Sequence, residues 1–130
     1  MSVERVNPPD LVKPRGFSHA VVGHGTVVFL AGQTALDAQG RILGTDVVTQ
    51  FEQALSNLLA ALGGAGGRPD QLASLTVYAT DLAAYRSRAA EIGAVWRRLV
   101  GTDYPAMTAI GVARLWDDQA LVEVQGFAVV

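Results

Sequence analysis

From Asp46 onward apolar side chains fall at Val48, Phe51, Leu55, Leu58, Leu59 and Leu62, the spacing of one helix face, while Gln50, Glu52, Gln53, Ser56 and Asn57 fall on the other. A few residues later, at Leu75, Val77 and Ala79, the period drops to two and Thr76, Tyr78 and Thr80 interleave. A helix stripe followed so closely by an alternating strand calls for a helix layer packed on a sheet. Thr45 or Asp46 can cap the first amides of the helix, and Gly63-Gly64 with Gly66-Gly67 can end it. These glycines do not form a phosphate loop, because no strand precedes them and no Gly-Lys-Ser/Thr follows.

The remaining elements follow from the same two periods. Tyr85, Ala89, Ile92, Val95, Trp96 and Leu99 predict a second helix over Leu82 to Val100, with Arg86, Arg88, Arg97 and Arg98 as its solvated face. Val3 to Val6 reads as a first strand ended by Asn7-Pro8-Pro9. Ser18 to Val22 and Thr26 to Ala31 read as a hairpin turning at Gly23-His24-Gly25, and Leu36 to Gly44 as a small hairpin or turn. Two last strands lie between Tyr104 and Val130, joined at Asp117-Asp118. The order βββαβαββ gives an α+β fold with two helices on one face of a mixed sheet, and the other face must then find cover, which argues for an oligomer.

A chain of 130 residues, half of them hydrophobic, encloses one core, so residues 1 to 130 are expected to form a single domain. A formal charge of -2 gives no basic footprint for nucleic acid. The absence of cysteine removes disulfides and thiolate nucleophiles. MSVERVNPPD has no apolar run like that of a signal peptide, and no stretch approaches the roughly 18 apolar residues of a membrane span, so a cytoplasmic protein is expected. His19 and His24 have no third ligand nearby in sequence, so no metal site is expected, and Ser18, Ser56, Ser74 and Ser87 have no elbow or triad setting.

Several short motifs then occur in a telling order. Gly16-Phe17-Ser18-His19-Ala20-Val21, Val28-Phe29-Leu30-Ala31-Gly32-Gln33 and Thr76-Val77-Tyr78-Ala79-Thr80-Asp81-Leu82 are followed by Pro105-Ala106-Met107-Thr108, Val112-Ala113-Arg114-Leu115 and Val122-Glu123-Val124. In combination and order this pattern resembles the RidA (YjgF, reactive intermediate deaminase) family over nearly the whole chain. The resemblance implies a chorismate-mutase-like fold assembled as a homotrimer, with clefts between neighbouring subunits and no cofactor.

It also assigns candidate residues. Family deaminases carry an arginine where this chain has Met107, and its guanidinium grips the carboxylate of a 2-imino or 2-enamino acid through charge-assisted bonds of roughly 1.5–3 kcal/mol each. Phe17 replaces the family tyrosine, Ala31 its serine, Ala89 a common asparagine and Ala109 a common cysteine, each change exchanging a polar handle for an apolar wall. His19 stands at the usual glutamine, and Arg15, beside the Gly16-Phe17 turn, is the candidate for a replacement cation. Glu123 matches the glutamate thought to hold or activate the hydrolytic water. Strand parity puts Val122, Val124, Gly126 and Ala128 under the helices and Glu123 on the opposite face. It also groups Met107, Ala109 and Gly111 on one face and Thr108, Ile110, Val112 and Arg114 on the other, which makes Arg114 a structural ion-pair residue. A carboxylate among Phe17, Met107 and Phe127 is expected to be desolvated and suited to acid/base work.

Three functions remain open on these grounds. The first is an enzyme acting on small imines, enamines or related carbonyl compounds that handles 2-iminopropionate and 2-aminoacrylate poorly. The second is a non-catalytic trimer that binds or senses a small molecule. The third and weakest is a ribonuclease, which the acidic balance disfavours.

Overall fold

The computed structural model describes residues 2–130. Two sheets are present: a ribbon of β1 (Val3–Val6) and β2 (Ala20–Gly23), and a four-stranded sheet in the order β3 (Val27–Gln33), β6 (Val122–Val129), β4 (Leu72–Ala79), β5 (Ala106–Gly111). β6 runs antiparallel to both neighbours, while β4 and β5 are parallel. The crossover between β4 and β5 carries α2 (Leu82–Ser87) and α3 (Ala89–Leu99), and α1 (Val47–Gly64) lies between β3 and β4 in sequence. This is the expected α+β architecture with its helices on one side of a mixed sheet.

The core forms where the two periods meet. Phe51, Leu55, Leu58 and Leu62 of α1 press on Leu75, Val77, Val122 and Val124 of the sheet, and Ile92, Val95 and Trp96 of α3 join them. Each fully buried aliphatic side chain stabilises the layer by roughly 1.5–3 kcal/mol relative to exposure. Asp46 caps α1, its Oδ2 accepting from the amides of Val48 at 3.2 Å and Thr49 at 3.3 Å. Gly66, with φ 86°, turns the chain out of the helix end.

Gln50 departs from the expected polar face, being only 1% exposed. Its Nε2 donates to the carbonyls of Gly44 and Gln119, both at 3.0 Å, and its Oε1 accepts from the Leu121 amide at 2.8 Å. A buried polar group requires such partners, and these ones pin the loop that feeds β6.

Two further expectations are corrected. The second helix breaks at Arg88 (φ -107°, ψ 20°), where the Ser87 hydroxyl donates back to the Ala84 carbonyl at 2.8 Å and competes with the helical ladder. The hairpin of β2 with β3 does not form. The His24 amide donates to Ser2 O at 2.8 Å, extending the β1–β2 ladder, whereas Thr26 exchanges two 2.9 Å bonds with Val130, extending β3–β6. Gly25, at φ 136°, makes the handover between them. β2 is thereby carried across the end of β6, where Gly23 sits directly against Val129, a β6 side chain on the side away from the helices. The ribbon covers that corner only. On the rest of this side Phe29 and Phe127 meet edge to face, with centroids 5.4 Å apart, and remain 77% and 40% exposed.

The Leu36–Gly44 segment is the expected small turn. Leu36 bridges Ile42, and Asp37 Oδ1 accepts from the amides of Gln39 at 2.9 Å and Arg41 at 3.0 Å, which holds the Asp37 carboxyl below the usual carboxylate range.

Candidate functional site

Register decides which candidate residues can meet. Met107 pairs with Leu75 and Ala109 with Val77, so both project to the helix side. β5 is an edge strand of this sheet, and the helices do not fully cover it. A cavity of about 570 Å³ opens there, between Met107 and Tyr104 on one side and Ala89, Gly93, Trp96 and Arg97 of α3 on the other, with Arg15 at its border. An adjoining hollow of about 200 Å³ adds Phe17 and Ala109 and shares Gly16, Tyr85 and Met107. Five of the candidates, Arg15, Phe17, Ala89, Met107 and Ala109, therefore line one continuous groove.

The Arg15–Phe17 loop is held against β5 by local chemistry. The Ser18 hydroxyl donates to Tyr104 O at 2.6 Å and its amide to Pro105 O at 2.9 Å, with a parallel bridge to Ala106. Gly16, at φ 74°, supplies the bend just before. His19 braces the loop from outside, its Nε2 2.7 Å from Val12 O and its ring edge-on to Phe17 at 5.0 Å. It borders a shallower hollow with Phe17 and Met107.

The wall is less apolar than the substitutions at Phe17, Met107 and Ala109 imply. Trp96 stacks on Tyr104 at 6.0 Å, and Phe51 meets Tyr85 edge to face at 6.1 Å. Burial pushes the Tyr85 hydroxyl up to about 12, so it stays a neutral phenol at physiological pH. Arg97, exposed on the solvated face as expected, also borders the cavity. Its Nη1 lies 3.3 Å from where a Cβ on Gly93 would sit, so the guanidinium folds back along α3 over the bare glycine. Arg88 does point outward, bonding Asp46 Oδ1 at 2.5 Å and Glu91 at 2.6 and 2.7 Å, and Arg98 bonds Glu52 at 2.5 Å. Arg15 and Arg97 take part in no ion pair among the described residues, nor does Arg114, which is thus not the expected ion-pair residue.

Glu123 stands on the other face. It pairs with Tyr78 in register, and the helix-facing residues beside it, Val122 and Val124, are fully buried. The expectation that it lies among Phe17, Met107 and Phe127 is corrected for the single chain: only Phe127 shares its face, and Glu123 is half-buried. Its carboxylate rests on Gly32, where an added Cβ would overlap Oε1 and fall 2.9 Å from Cδ. Gly32 belongs to a bulge in β3, since Leu30 pairs with Gly126 but Gln33 pairs with Val124. Ala31 lies in the same bulge and is exposed. Tyr78 turns its hydroxyl to Gln125 Oε1 at 2.9 Å rather than to Glu123, and no ion pair among the described residues includes Glu123.

The candidates thus form two groups on opposite faces of one sheet: the β5–α3 groove, and Glu123 with Gly32 and Ala31. Among the described residues no three His, Asp or Glu side chains gather as a metal site, and no helix is long and apolar enough to cross a membrane.

Known proteins share this arrangement of elements. A family model described as Endoribonuclease L-PSP matches residues 11–130. A RutC family protein of Pyrococcus horikoshii is 32% identical over 117 residues, 89% of this chain and 89% of that protein. The 2-iminobutanoate/2-iminopropanoate deaminase of Salmonella typhimurium is 30% identical over 105 residues, 81% of this chain and 80% of the enzyme. Among solved structures, the Rid family protein YyfB of Yersinia pestis matches with a TM-score of 0.91 at 30% identity, covering 100% of both chains. A YjgF/YER057c/UK114 family member from Mycobacterium tuberculosis matches at 0.66 and 29% identity, covering 99% of this chain and 100% of that one. The chain belongs to the Endoribonuclease L-PSP family and is a RidA/YjgF-type protein.

Proposed function

We propose that this chain assembles as a homotrimer whose intersubunit clefts act on small imines, enamines or related carbonyl compounds, and that it hydrolyses 2-iminopropionate and 2-aminoacrylate inefficiently. One observation carries the reading: the Met107 groove and the Glu123 carboxylate lie on opposite faces of the same sheet. Within one chain they cannot face one ligand, whereas a neighbouring copy that lays its own open side along this chain's β5 edge can set its Glu123 against this chain's groove. The exposed Phe29, Ile110 and Phe127 make that open side an apolar surface suited to such packing.

In the proposed cleft Glu123 takes a proton from water as the oxygen attacks the C=N carbon. It returns that proton to nitrogen to give the carbinolamine, then carries the hydroxyl proton to the amine, so that the C–N bond breaks as the carbonyl forms and imine and water give carbonyl compound and ammonia. Gly32 is the positioning residue, because its missing side chain is what lets the carboxylate sit down on the bulge. Met107 offers no bidentate grip at β5, so a three-carbon imino acid loses its anchor there. Against a ribonuclease stands the net charge of -2, which opposes phosphate-backbone binding.

Ammonia release from the two intermediates, generated in place by a dehydratase, tests the reading. Turnover well below that of a family member carrying the arginine is expected, and equal turnover would sink it. Where an imine substrate is found, Glu123→Gln and Gly32→Ala should each cut turnover by roughly a hundredfold, the scale of a lost general base, while leaving oligomeric mass unchanged. A chain that only binds its ligand would retain affinity in Glu123→Gln with no turnover to lose.

A further inference from the structure

We propose that Arg97, assisted by Arg15, makes the β5–α3 cavity a receptor for the carboxylate of an aryl-bearing organic acid. The inference deepens the proposed function and rests on its reading of this cavity as the substrate side of the cleft.

Three observations converge on it. The first is charge without a partner. Arg88 and Arg98, on the same stretch of helix, are each tied to carboxylates, while Arg97 and Arg15 border the cavity and belong to no ion pair among the described residues. The second is the shape of α3. Ala89, Ala90 and Gly93 are the small residues on its cavity side, and the Arg97 guanidinium lies along the helix over Gly93, at the cavity's border. The third is the lining, in which the stacked Trp96 and Tyr104, with Tyr85, offer flat apolar faces to a ring.

About 570 Å³ lies within the range of pockets that bury most of a ligand's surface, and a three-carbon acid leaves most of it empty. A planar guanidinium on α3 also holds a carboxylate away from β5, so the acid's imine or carbonyl carbon sits farther from its anchor than a cation at position 107 would set it. Substrates of this site are then acids whose ring fills the cavity, and small imino acids fit poorly on two counts.

Calorimetric titration of the intact protein with phenylacetate and with its uncharged counterpart phenylacetamide separates charge recognition from ring packing. Phenylacetate should bind roughly tenfold tighter than the amide, the scale of one charge-assisted contact. Arg97→Gln should erase that preference while leaving amide binding in place, and Arg97→Lys should restore part of it. Equal affinity for acid and amide in the wild type, a preference that survives Arg97→Gln, or no phenylacetate binding at all would each overturn the proposal. An inactive or monomeric protein that still prefers phenylacetate would count against the cleft reading alone, and a trimer with imine turnover but no Arg97-dependent preference would count against this inference alone.

Discussion

The helix-covered side of the central sheet and its open side hold their residues by different means. On the covered side Leu75, Val77, Val122 and Val124 are at most 1% exposed and fixed by α1 and α3. A site there arises by omission, where the helices do not fully cover β5 and small residues at Ala89 and Gly93 leave a hollow. On the open side Thr76, Tyr78, Glu123 and Gln125 are half-buried and Phe127 is exposed. There the polar groups are placed by a bulge and a bare glycine rather than by packing. The contrast teaches that groove specificity can change by repacking side chains, whereas Glu123 depends on backbone geometry at Gly32.

The comparison breaks most visibly if the open side is made hostile to its own copy. Phe29→Asp combined with Phe127→Asp should convert the proposed trimer wholly to single chains with unchanged far-ultraviolet circular dichroism, since neither side chain enters the core. An assembly that survives both charges would mean that copies meet elsewhere. Next in size are changes on the covered side. Leu58→Ala removes a fully buried side chain and should cost about 2–5 kcal/mol in denaturant unfolding, whereas Thr76→Ala across the sheet should cost no more than about 0.5 kcal/mol. Gln50→Leu lies between them. It strands the Leu121 amide and two carbonyls, and should cost about 1–3 kcal/mol.

The smallest effect concerns pH. The Arg88 guanidinium holds the carboxyls of Asp46 and Glu91 below their usual range. Carboxylates lowered in the folded state stabilise it above their unfolded pKa, and that contribution fades as pH falls through the lowered values. Both groups are on the surface, so the gain is modest. The difference in Tm between wild type and Arg88→Gln should therefore be present at neutral pH and shrink below about pH 4. A difference that grows in acid would contradict the pairing.

Much of this was legible in the residues. The stripe from Phe51 to Leu62 gave α1 and its cap at Asp46, and parity alone put Val122, Val124, Gly126 and Ala128 beneath it. The family motifs named the groove residues Phe17, Ala89, Met107 and Ala109, which do come together. What parity within a strand cannot supply is the register between strands. Only the pairing of Leu75 with Met107 and of Tyr78 with Glu123 reveals that the two candidate groups face opposite ways. The β2–β3 hairpin failed because glycines at 23 and 25 permit a crossing over Val129 as readily as a tight turn. Gln50 was misplaced because polarity was taken as exposure, although a buried amide with three partners satisfies its polar groups inside; Arg97 does stay exposed, and what the helical stripe could not show is that it also borders the cavity.

The account turns on two groups of residues that only separate chains can bring to one ligand. Light scattering of the purified wild-type protein at micromolar concentration tests this directly. A mass of three copies of the 13.7 kDa chain is the predicted result. A mass of one copy, holding across a dilution series, would contradict it, because Glu123 would then have no groove to face.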